Sequence, residues 1–90
     1  MYANKTDTAK IFGISTPTVC RRIEGISKEV GKRYNQYAVL GNLVHLAVFA
    51  DYQKYYKYLA DKNLRKTVPP FDLQEAGKYL QEVKLKSVAY

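Results

Sequence analysis

The stretch Lys5 to Glu24, KTDTAKIFGISTPTVCRRIE, has the spacing of two short helices joined by a tight turn. Gly13 supplies the permissive backbone that such a turn requires. Ser15 or Thr16 is then expected to cap the second helix, and Pro17 is tolerated in its first turn under either assignment. The stretch therefore predicts a helix-turn-helix.

The second helix of this pair has an apolar side and a polar, basic side. Val19 and Ile23 follow the helical spacing of a buried stripe, and Arg21 points away from them at 100° per residue. Arginine can bond bidentately to guanine, and threonine can contact thymine in a major groove. An amphipathic helix with two exposed arginines is the structural alternative. The predicted base-contacting residues are Thr16, Thr18, Arg21 and Arg22.

The charge of the chain favours polyanionic partners. Its 90 residues carry 15 Lys and Arg against 8 Asp and Glu, a formal net charge of +7 at pH 7. Nucleic acid and an anionic membrane surface both fit that excess. No apolar run approaches the roughly 20 residues that span a bilayer, and the N-terminus lacks the apolar segment of a signal peptide. We therefore expect a cytoplasmic protein that uses no membrane.

Cations around the helix pair are the candidates for phosphate contact. After Glu24 the segment GISKEVGKRYNQ combines two glycines with several cations. We expect the second helix to fray near Gly25 or Lys28 into a basic connector. A solvated loop without a binding role is an equal alternative. The predicted phosphate-contacting residues are Lys5, Lys10, Lys28, Lys32 and Arg33.

The segment from Tyr37 to Val48 changes to the period of a β-hairpin. Its runs YAVL and LVHLAV are β-prone and are separated by Gly41-Asn42, a signal for a two-residue turn. Alternate residues of the second strand are expected to face the core and close it. These inward residues are Val44, Leu46 and Val48.

A hairpin that follows a helix-turn-helix is called a wing, and its tip can reach an adjacent groove or the DNA backbone. Gly41 and Asn42 form the tip here, between Leu40 and Leu43, and none of the four residues is charged. Asn42 could bond a minor-groove edge, but without a cation any contact should be modest. A purely structural hairpin and a partner-protein contact through the two leucines both stay open.

Two further helices are expected after the hairpin. Ala50 or Asp51 should begin the first, DYQKYYKYLADKNLRK, in which a tyrosine and leucine stripe has the spacing of a buried face. Tyrosines interleaved with lysines can also stack single-stranded bases, which is the alternative for this helix. The stripe consists of Tyr52, Tyr55, Tyr56 and Leu59.

Pro69-Pro70 ends that helix, because proline cannot donate a backbone hydrogen bond. Asp72 with Glu75 resembles a capping box, so a last helix should run to roughly Lys84, followed by the tail LKSVAY. This helix could pack on the domain, on a second copy as a homodimer, or on a partner protein. The predicted organisation is therefore a DNA-binding domain over 1–66, then a linker and C-terminal helix over 67–90.

The sequence gives little support for catalysis. His45 is the sole histidine and lies on a predicted strand without a nearby nucleophile or metal-ligand spacing. Cys20 is the sole cysteine, which excludes an internal disulfide and a cysteine zinc cluster and leaves a redox-sensing thiol as the functional alternative. We predict that the protein is not an enzyme and uses no cofactor and no metal.

The run Thr8 to Ile23 resembles the helix-turn-helix of excisionase-like and MerR-like winged DNA-binding proteins, in which AxxxGxSxxTxxR recurs. The order of helix pair, two-stranded wing and acidic helix start is also similar over about two thirds of the chain. Arg22 stands where that family usually has a large apolar residue, and the Pro-Pro segment with the last helix is additional. The residues that match the motif are Ala9, Gly13, Ser15, Thr18 and Arg21.

The fold class predicted from these patterns is α+β and mostly helical, a winged helix-turn-helix with a two-stranded hairpin and an additional C-terminal helix. The expected function is sequence-specific binding of double-stranded DNA. The resemblance implies a small regulatory or architectural factor of a phage or mobile element, either excisionase-like or a transcription regulator. The alternative is a protein-interaction accessory subunit of a recombination, packaging or conjugation complex.

Overall fold

The computed structural model describes residues 1–88, and these form an α+β domain that is mostly helical, as predicted. A short strand precedes the first helix pair, a hairpin follows it, and three helices complete the described chain. The elements are β1 (Tyr2–Asn4), α1 (Lys5–Phe12), α2 (Thr16–Lys28), β2 (Val39–Leu40), β3 (Leu43–His45), α3 (Leu46–Leu59), α4 (Lys62–Arg65) and α5 (Leu73–Val88).

A tight turn joins α1 to α2, as the sequence predicts. Gly13 adopts a left-handed conformation with φ 66° and ends α1, where its N–H donates to the carbonyl of Ala9. Ser15 is the N-cap of α2, and its side chain accepts a hydrogen bond from the N–H of Thr18. Of the two predicted caps, the structure therefore has Ser15.

The start of α1 contains three residues whose side chains can cap a helix, Asn4, Thr6 and Asp7. The N-cap is Asn4, whose side-chain oxygen accepts from the N–H of Asp7 at 2.8 Å. Thr8 adds a second bond, from its hydroxyl to the Asn4 carbonyl at 2.7 Å. Because asparagine caps helices as well as aspartate does, the earlier of the competing caps begins the helix here.

The sheet has three strands rather than the two predicted, because β1 pairs with β3. The order is β1-β3-β2, and both pairings are antiparallel. Gly41, with φ 58°, lies in the tight turn predicted between β2 and β3. Val44, at the centre of β3, is fully buried and pairs with Ala3 on one side and Val39 on the other.

The prediction that the second strand extends to Val48 is wrong, since β3 ends at His45 and α3 begins at Leu46. The helix therefore starts earlier than the predicted Ala50 or Asp51. His45 is its N-cap, and its Nδ1 accepts from the N–H of Ala47 at 3.2 Å. Every residue from Leu46 to Ala50 is buried, and a run that is apolar on all sides has no period to distinguish a strand from a helix.

A break at Ala60 divides the predicted tyrosine-rich helix into α3 and the single turn α4. Asp61 causes it, because its carboxylate accepts from the N–H groups of Asn63 and Leu64 and so caps a new helix start. In the predicted stripe, Leu59 is buried in the core. The tyrosines Tyr52, Tyr55 and Tyr56 are half-buried at its border.

The last helix packs on the rest of the domain, against α3 and α1. Asp72 begins it as predicted, by accepting from the N–H of Gln74 at 2.8 Å. Leu80 is fully buried in a small cluster with Leu46 and Ala50. The helix continues to Val88 rather than ending near Lys84, and the last two residues of the predicted tail lie outside the described residues.

Candidate nucleic-acid interface

The outer side of α2 is its polar and solvent-exposed side, as the helical period predicts. Arg21 and Lys28 lie two turns apart and line one cleft of about 410 Å³ between α2 and the end of α3. Glu24 and Glu29 line the same cleft, so two carboxylates share it with the two cations. Three residues of this side are exposed in addition to Arg21: Pro17, Glu24 and Lys28.

The first turn of α2 orients Arg21 through a chain of hydroxyl groups. The hydroxyls of Ser15 and Thr18 lie 2.8 Å apart, and Arg21 donates from Nη2 to the Thr18 hydroxyl at 3.4 Å. Thr18 is half-buried, whereas Thr16 and Arg21 are exposed. Of the predicted base-contacting residues, Thr16 and Arg21 are thus the two that face solvent, and Thr18 supports Arg21.

Arg22, the fourth predicted base contact, is half-buried and packs on α3. Its Nε donates to the side-chain oxygen of Gln53 at 3.0 Å. Its guanidinium lies over the ring of Tyr56, with the Cζ atom 3.8 Å from the ring centroid. Arg22 therefore holds α2 on α3, and Gln53 and Tyr56 are partners that the sequence did not indicate.

Gly25 lies inside α2, at the place where we expected the helix to fray. A Cβ atom added there would lie 1.9 Å from the Tyr52 hydroxyl oxygen and 2.5 Å from the adjacent ring carbon. Glycine therefore permits a close crossing of α2 and α3. Val19 and Ile26 are fully buried, and α2 continues through Gly25 to Lys28.

The basic connector expected after α2 is an ordered turn. The carbonyl of Glu29 accepts from the N–H groups of Lys32, Arg33 and Tyr34. Gly31 adopts φ 86°, a conformation that favours glycine, and donates to the carbonyl of Tyr34 at 2.8 Å. This turn leaves Lys32 exposed and directs Arg33 into the domain.

Arg33, a predicted phosphate contact, forms a bidentate ion pair with Asp51 inside the domain. The bonds measure 2.8 Å from Nε and 2.9 Å from Nη2, and the two side chains are 8% and 7% exposed. The Tyr34 hydroxyl donates to the same carboxylate at 2.6 Å. Burial and the Asp51 carboxylate raise the pKa of Tyr34, which stays protonated. The guanidinium is thus used internally.

A second ion pair fixes the turn from the other side. Arg65 donates from Nη1 to a carboxylate oxygen of Glu29 at 2.9 Å, and its Nη2 donates to the other oxygen. The hydrogen bond from Arg65 holds the pKa of Glu29 below its usual range, and this outweighs the effect of burial. The short helix α4 is therefore attached to the end of α2.

The remaining predicted phosphate contacts are not gathered on one helix. Lys28 shares the cleft of Arg21, whereas Lys32 lines a separate cleft of about 330 Å³ with Arg65. Lys10 is exposed at the end of α1, and Lys5 is half-buried at its start. Exposed cations are therefore spread around the helix pair. Among the described residues, only the cleft of Arg21 and Lys28 combines one of them with a predicted base contact.

The hairpin tip at Gly41 and Asn42 is exposed, as a wing requires, but its neighbours are apolar. Leu40 and Leu43 are directly paired across the turn and both are exposed. The tip therefore offers an amide side chain and two leucines, without a cation, to whatever approaches it.

The sole histidine and the sole cysteine of the chain are both partly buried. His45 is engaged as a helix cap, and burial together with the charge of the Met1 amino group lowers its pKa. Cys20 is a half-buried free thiol. Among the described residues, no cluster of His, Cys, Asp and Glu side chains could hold a metal ion, and no helix is long and apolar enough to cross a bilayer.

Comparisons with known proteins identify no relative from which a function could be inferred. No protein-family model, curated protein or solved structure matches the chain.

Proposed function

We propose that this protein binds double-stranded DNA through the outer side of α2. In this proposal α1 and α2 act as a helix-turn-helix, and the β2 and β3 hairpin acts as its wing. The resemblance of Thr8 to Ile23 to excisionase-like and MerR-like proteins further suggests a small regulatory or architectural factor of a phage or mobile element.

One observation carries the proposal, namely the contrast between the two sides of α2. Its outer side presents an exposed first turn and places Arg21 and Lys28 on one cleft. The helix is fixed on α3 by Arg22 and by the close approach of Gly25 to Tyr52, and these last two residues also line the cleft. A rigidly mounted helix with an exposed, cationic face suits insertion into a major groove.

The proposed roles follow from exposure. Thr16 and Arg21 read base edges, while Thr18 orients Arg21 through their hydrogen bond. Lys10, Lys28 and Lys32 contact phosphates, which gives affinity without sequence information. Arg22 and Arg33 hold the domain together and do not contact DNA, and the uncharged wing tip contributes little.

A matched pair of variants tests these roles. Arg21→Ala should lower the affinity for a selected duplex by about 1–3 kcal/mol, because a bidentate base contact is lost. Its stability should change by less than about 0.5 kcal/mol, since the side chain is exposed. Fluorescence anisotropy with a labelled duplex measures the first quantity, and urea unfolding measures the second.

Lys57→Ala is the charge control, because it also removes one positive charge and Lys57 is exposed on α3. It should reduce affinity far less than Arg21→Ala. If both variants bind equally well, Arg21 reads no base, and the affinity comes only from net charge. If the wild-type protein binds no duplex at low salt, the alternative role as a protein-interaction subunit takes precedence.

A further inference from the structure

The cleft of about 330 Å³ beside the connector after α2 is a place where three cationic side chains meet. No carboxylate is among its lining residues, all of which belong to the described chain, whereas the cleft of Arg21 and Lys28 contains two. Apolar side chains form the rest of its wall. We call it the connector cleft, and its lining residues are Lys32, Arg33, Leu59, Arg65, Pro70 and Phe71.

Arg65 has a pair of donors that the fold does not use. Its Nη1 donates to Glu29 and to the Leu59 carbonyl, at 2.9 Å and 3.1 Å, and its Nη2 donates to the other Glu29 oxygen. A guanidinium has five N–H groups in a rigid plane, so the Nε–H and one N–H of Nη2 make no hydrogen bond to a described residue. These two N–H groups lie side by side on one edge of the guanidinium, the arrangement that binds two oxygens of an anion. The Arg65 side chain is 36% exposed, so this edge is accessible to a ligand.

Lys32 places a second cation at the same cleft. Its side chain is exposed and forms no ion pair within residues 1–88. The hydrogen bond from Arg65 is the main cause of the lowered pKa of Glu29, and the charges of Lys32 and Arg33 lower this pKa further. All three cations therefore lie near one carboxyl group. Arg33 is engaged with Asp51 and 8% exposed, so it contributes charge to the cleft while Lys32 and Arg65 supply the donors.

We propose that the connector cleft binds a phosphate group, with Arg65 and Lys32 as its two ligands. A phosphate presents oxygens in several directions, so it can accept from the Arg65 edge and from the Lys32 ammonium together. A carboxylate fits less well, because the Arg65 edge alone occupies both of its oxygens. The phosphate can belong to a DNA backbone or to a small phosphate compound, since both present the same oxygens.

The position of the cleft favours the DNA backbone as the source. Leu59 lines both this cleft and the cleft of Arg21 and Lys28, so the two lie next to each other. Glu29 lines the second cleft and holds Arg65 in the first. A strand that leaves the outer side of α2 can therefore continue into the connector cleft. This source rests on the proposed function, which already gives Lys32 a phosphate, and adds Arg65 to the DNA contacts.

Nuclear magnetic resonance of the full chain with inorganic phosphate tests the site without DNA. The Nε–H signal of Arg65 should move as phosphate is added, and sodium chloride of equal ionic strength should not move it. The Nε–H signal of Arg22 is the control within the chain, because it donates to Gln53 and should stay in place. Lys32→Ala should weaken phosphate binding about two- to fivefold, the value of one exposed ion pair.

Lys57→Ala is the control variant, since Lys57 is equally exposed and lies outside the connector cleft. It should leave the affinity for phosphate unchanged, and circular dichroism should show both variants folded. An Arg65 signal that phosphate does not move, or that chloride moves equally, would overturn the proposal. Equal weakening by the two alanine variants would also overturn it, because net charge would then explain the binding.

A duplex titration over salt concentration separates the two sources. If the phosphate is part of the backbone, Lys32→Ala should lower the slope of log affinity against log salt by roughly 1, and Lys57→Ala should leave it unchanged. Phosphate binding with an unchanged duplex slope in Lys32→Ala would overturn the backbone as the source and assign the cleft to a small phosphate compound. A wild-type protein that binds phosphate but no duplex would contradict the proposed function and support the cleft as a site for such a compound.

Discussion

The two sides of α2 use the same residue types for opposite purposes. On the outer side, Arg21 is exposed and bonded only weakly to Thr18, so its guanidinium remains available to a ligand. On the inner side, Arg22 is stacked on Tyr56 and bonded to Gln53. The difference teaches that one step of 100° along a helix, together with the neighbour that it meets, decides whether an arginine binds a partner or stabilises the fold.

The largest effect should come from breaking the support beneath the inner side. Asp51→Ala removes the partner of Arg33 and the acceptor of Tyr34, and leaves a buried guanidinium without its carboxylate. Breaking one half of a buried ion pair costs about 3–5 kcal/mol, which urea unfolding would measure. Lys32→Ala, at an exposed neighbour of Arg33, should change stability by less than about 0.5 kcal/mol. Equal losses in the two variants would mean that the pair contributes no special stability.

A pair of glycines inside helices sharpens the same contrast. Gly25→Ala should destabilise the domain by about 1–3 kcal/mol, because the new methyl group would clash with the Tyr52 ring. At Gly77 a methyl group meets nothing within 4 Å, so Gly77→Ala should stabilise α5 by about 0.5–1 kcal/mol. Thermal unfolding of both variants measures the difference in sign. A stabilising Gly25→Ala would show that α2 and α3 do not cross closely.

The smallest effect concerns pH and the start of α3, the helix on which the inner side rests. Burial and the Met1 amino group lower the pKa of His45 below its ordinary value of 6.5. Above that pH the cap is intact in the folded protein. Below it the unfolded chain binds the proton more readily than the folded protein does, so the free energy of unfolding decreases as the pH is lowered. We expect a loss of about 1 kcal/mol or less, the usual value of an N-cap.

His45→Asn supplies a cap that does not titrate, so it should remove the stability change between pH 7 and 5. Urea unfolding at several pH values measures both proteins. The contribution of Glu29 is lost only further down, as pH falls below its ordinary value of 4.5, because its pKa is also lowered. The same pH slope in the wild-type protein and in His45→Asn would contradict the assignment of the cap.

Local codes in the sequence were sufficient for the helix pair. Gly13 and Asp72 act through neighbours within a few residues, so the turn and the cap of α5 could be predicted directly, and the cap of α2 could be narrowed to Ser15 or Thr16. The run from Leu46 to Ala50 could not be assigned, because it is buried on all sides and its start depends on His45 as a cap. The third strand was missed because Tyr2–Asn4 becomes a strand only by pairing with β3, some forty residues later.

The candidate site was predictable only in its helical phase. The period of α2 placed Arg21 outside, but Arg22 lies at an intermediate angle that Gln53 and Tyr56 decide, about thirty residues away. Likewise, Arg33 points into the domain because it forms an ion pair with the buried carboxylate of Asp51. The sequence did contain one signal of this pair. Asp51 directly follows five apolar residues, and a carboxylate that is buried with them needs a cationic partner.

The central claim is that the outer side of α2 binds duplex DNA, and a salt titration tests it most directly. Affinity for a random duplex and for its single strands should be measured from low to moderate salt, for the wild-type protein and for Arg21→Ala/Lys28→Ala. We predict a duplex preference with a steep salt dependence, and a slope of log affinity against log salt that falls by roughly 1 in the double variant, because Lys28 contacts a phosphate whereas Arg21 reads a base. Duplex binding with an unchanged slope in the double variant, or no preference for duplex, would contradict the account.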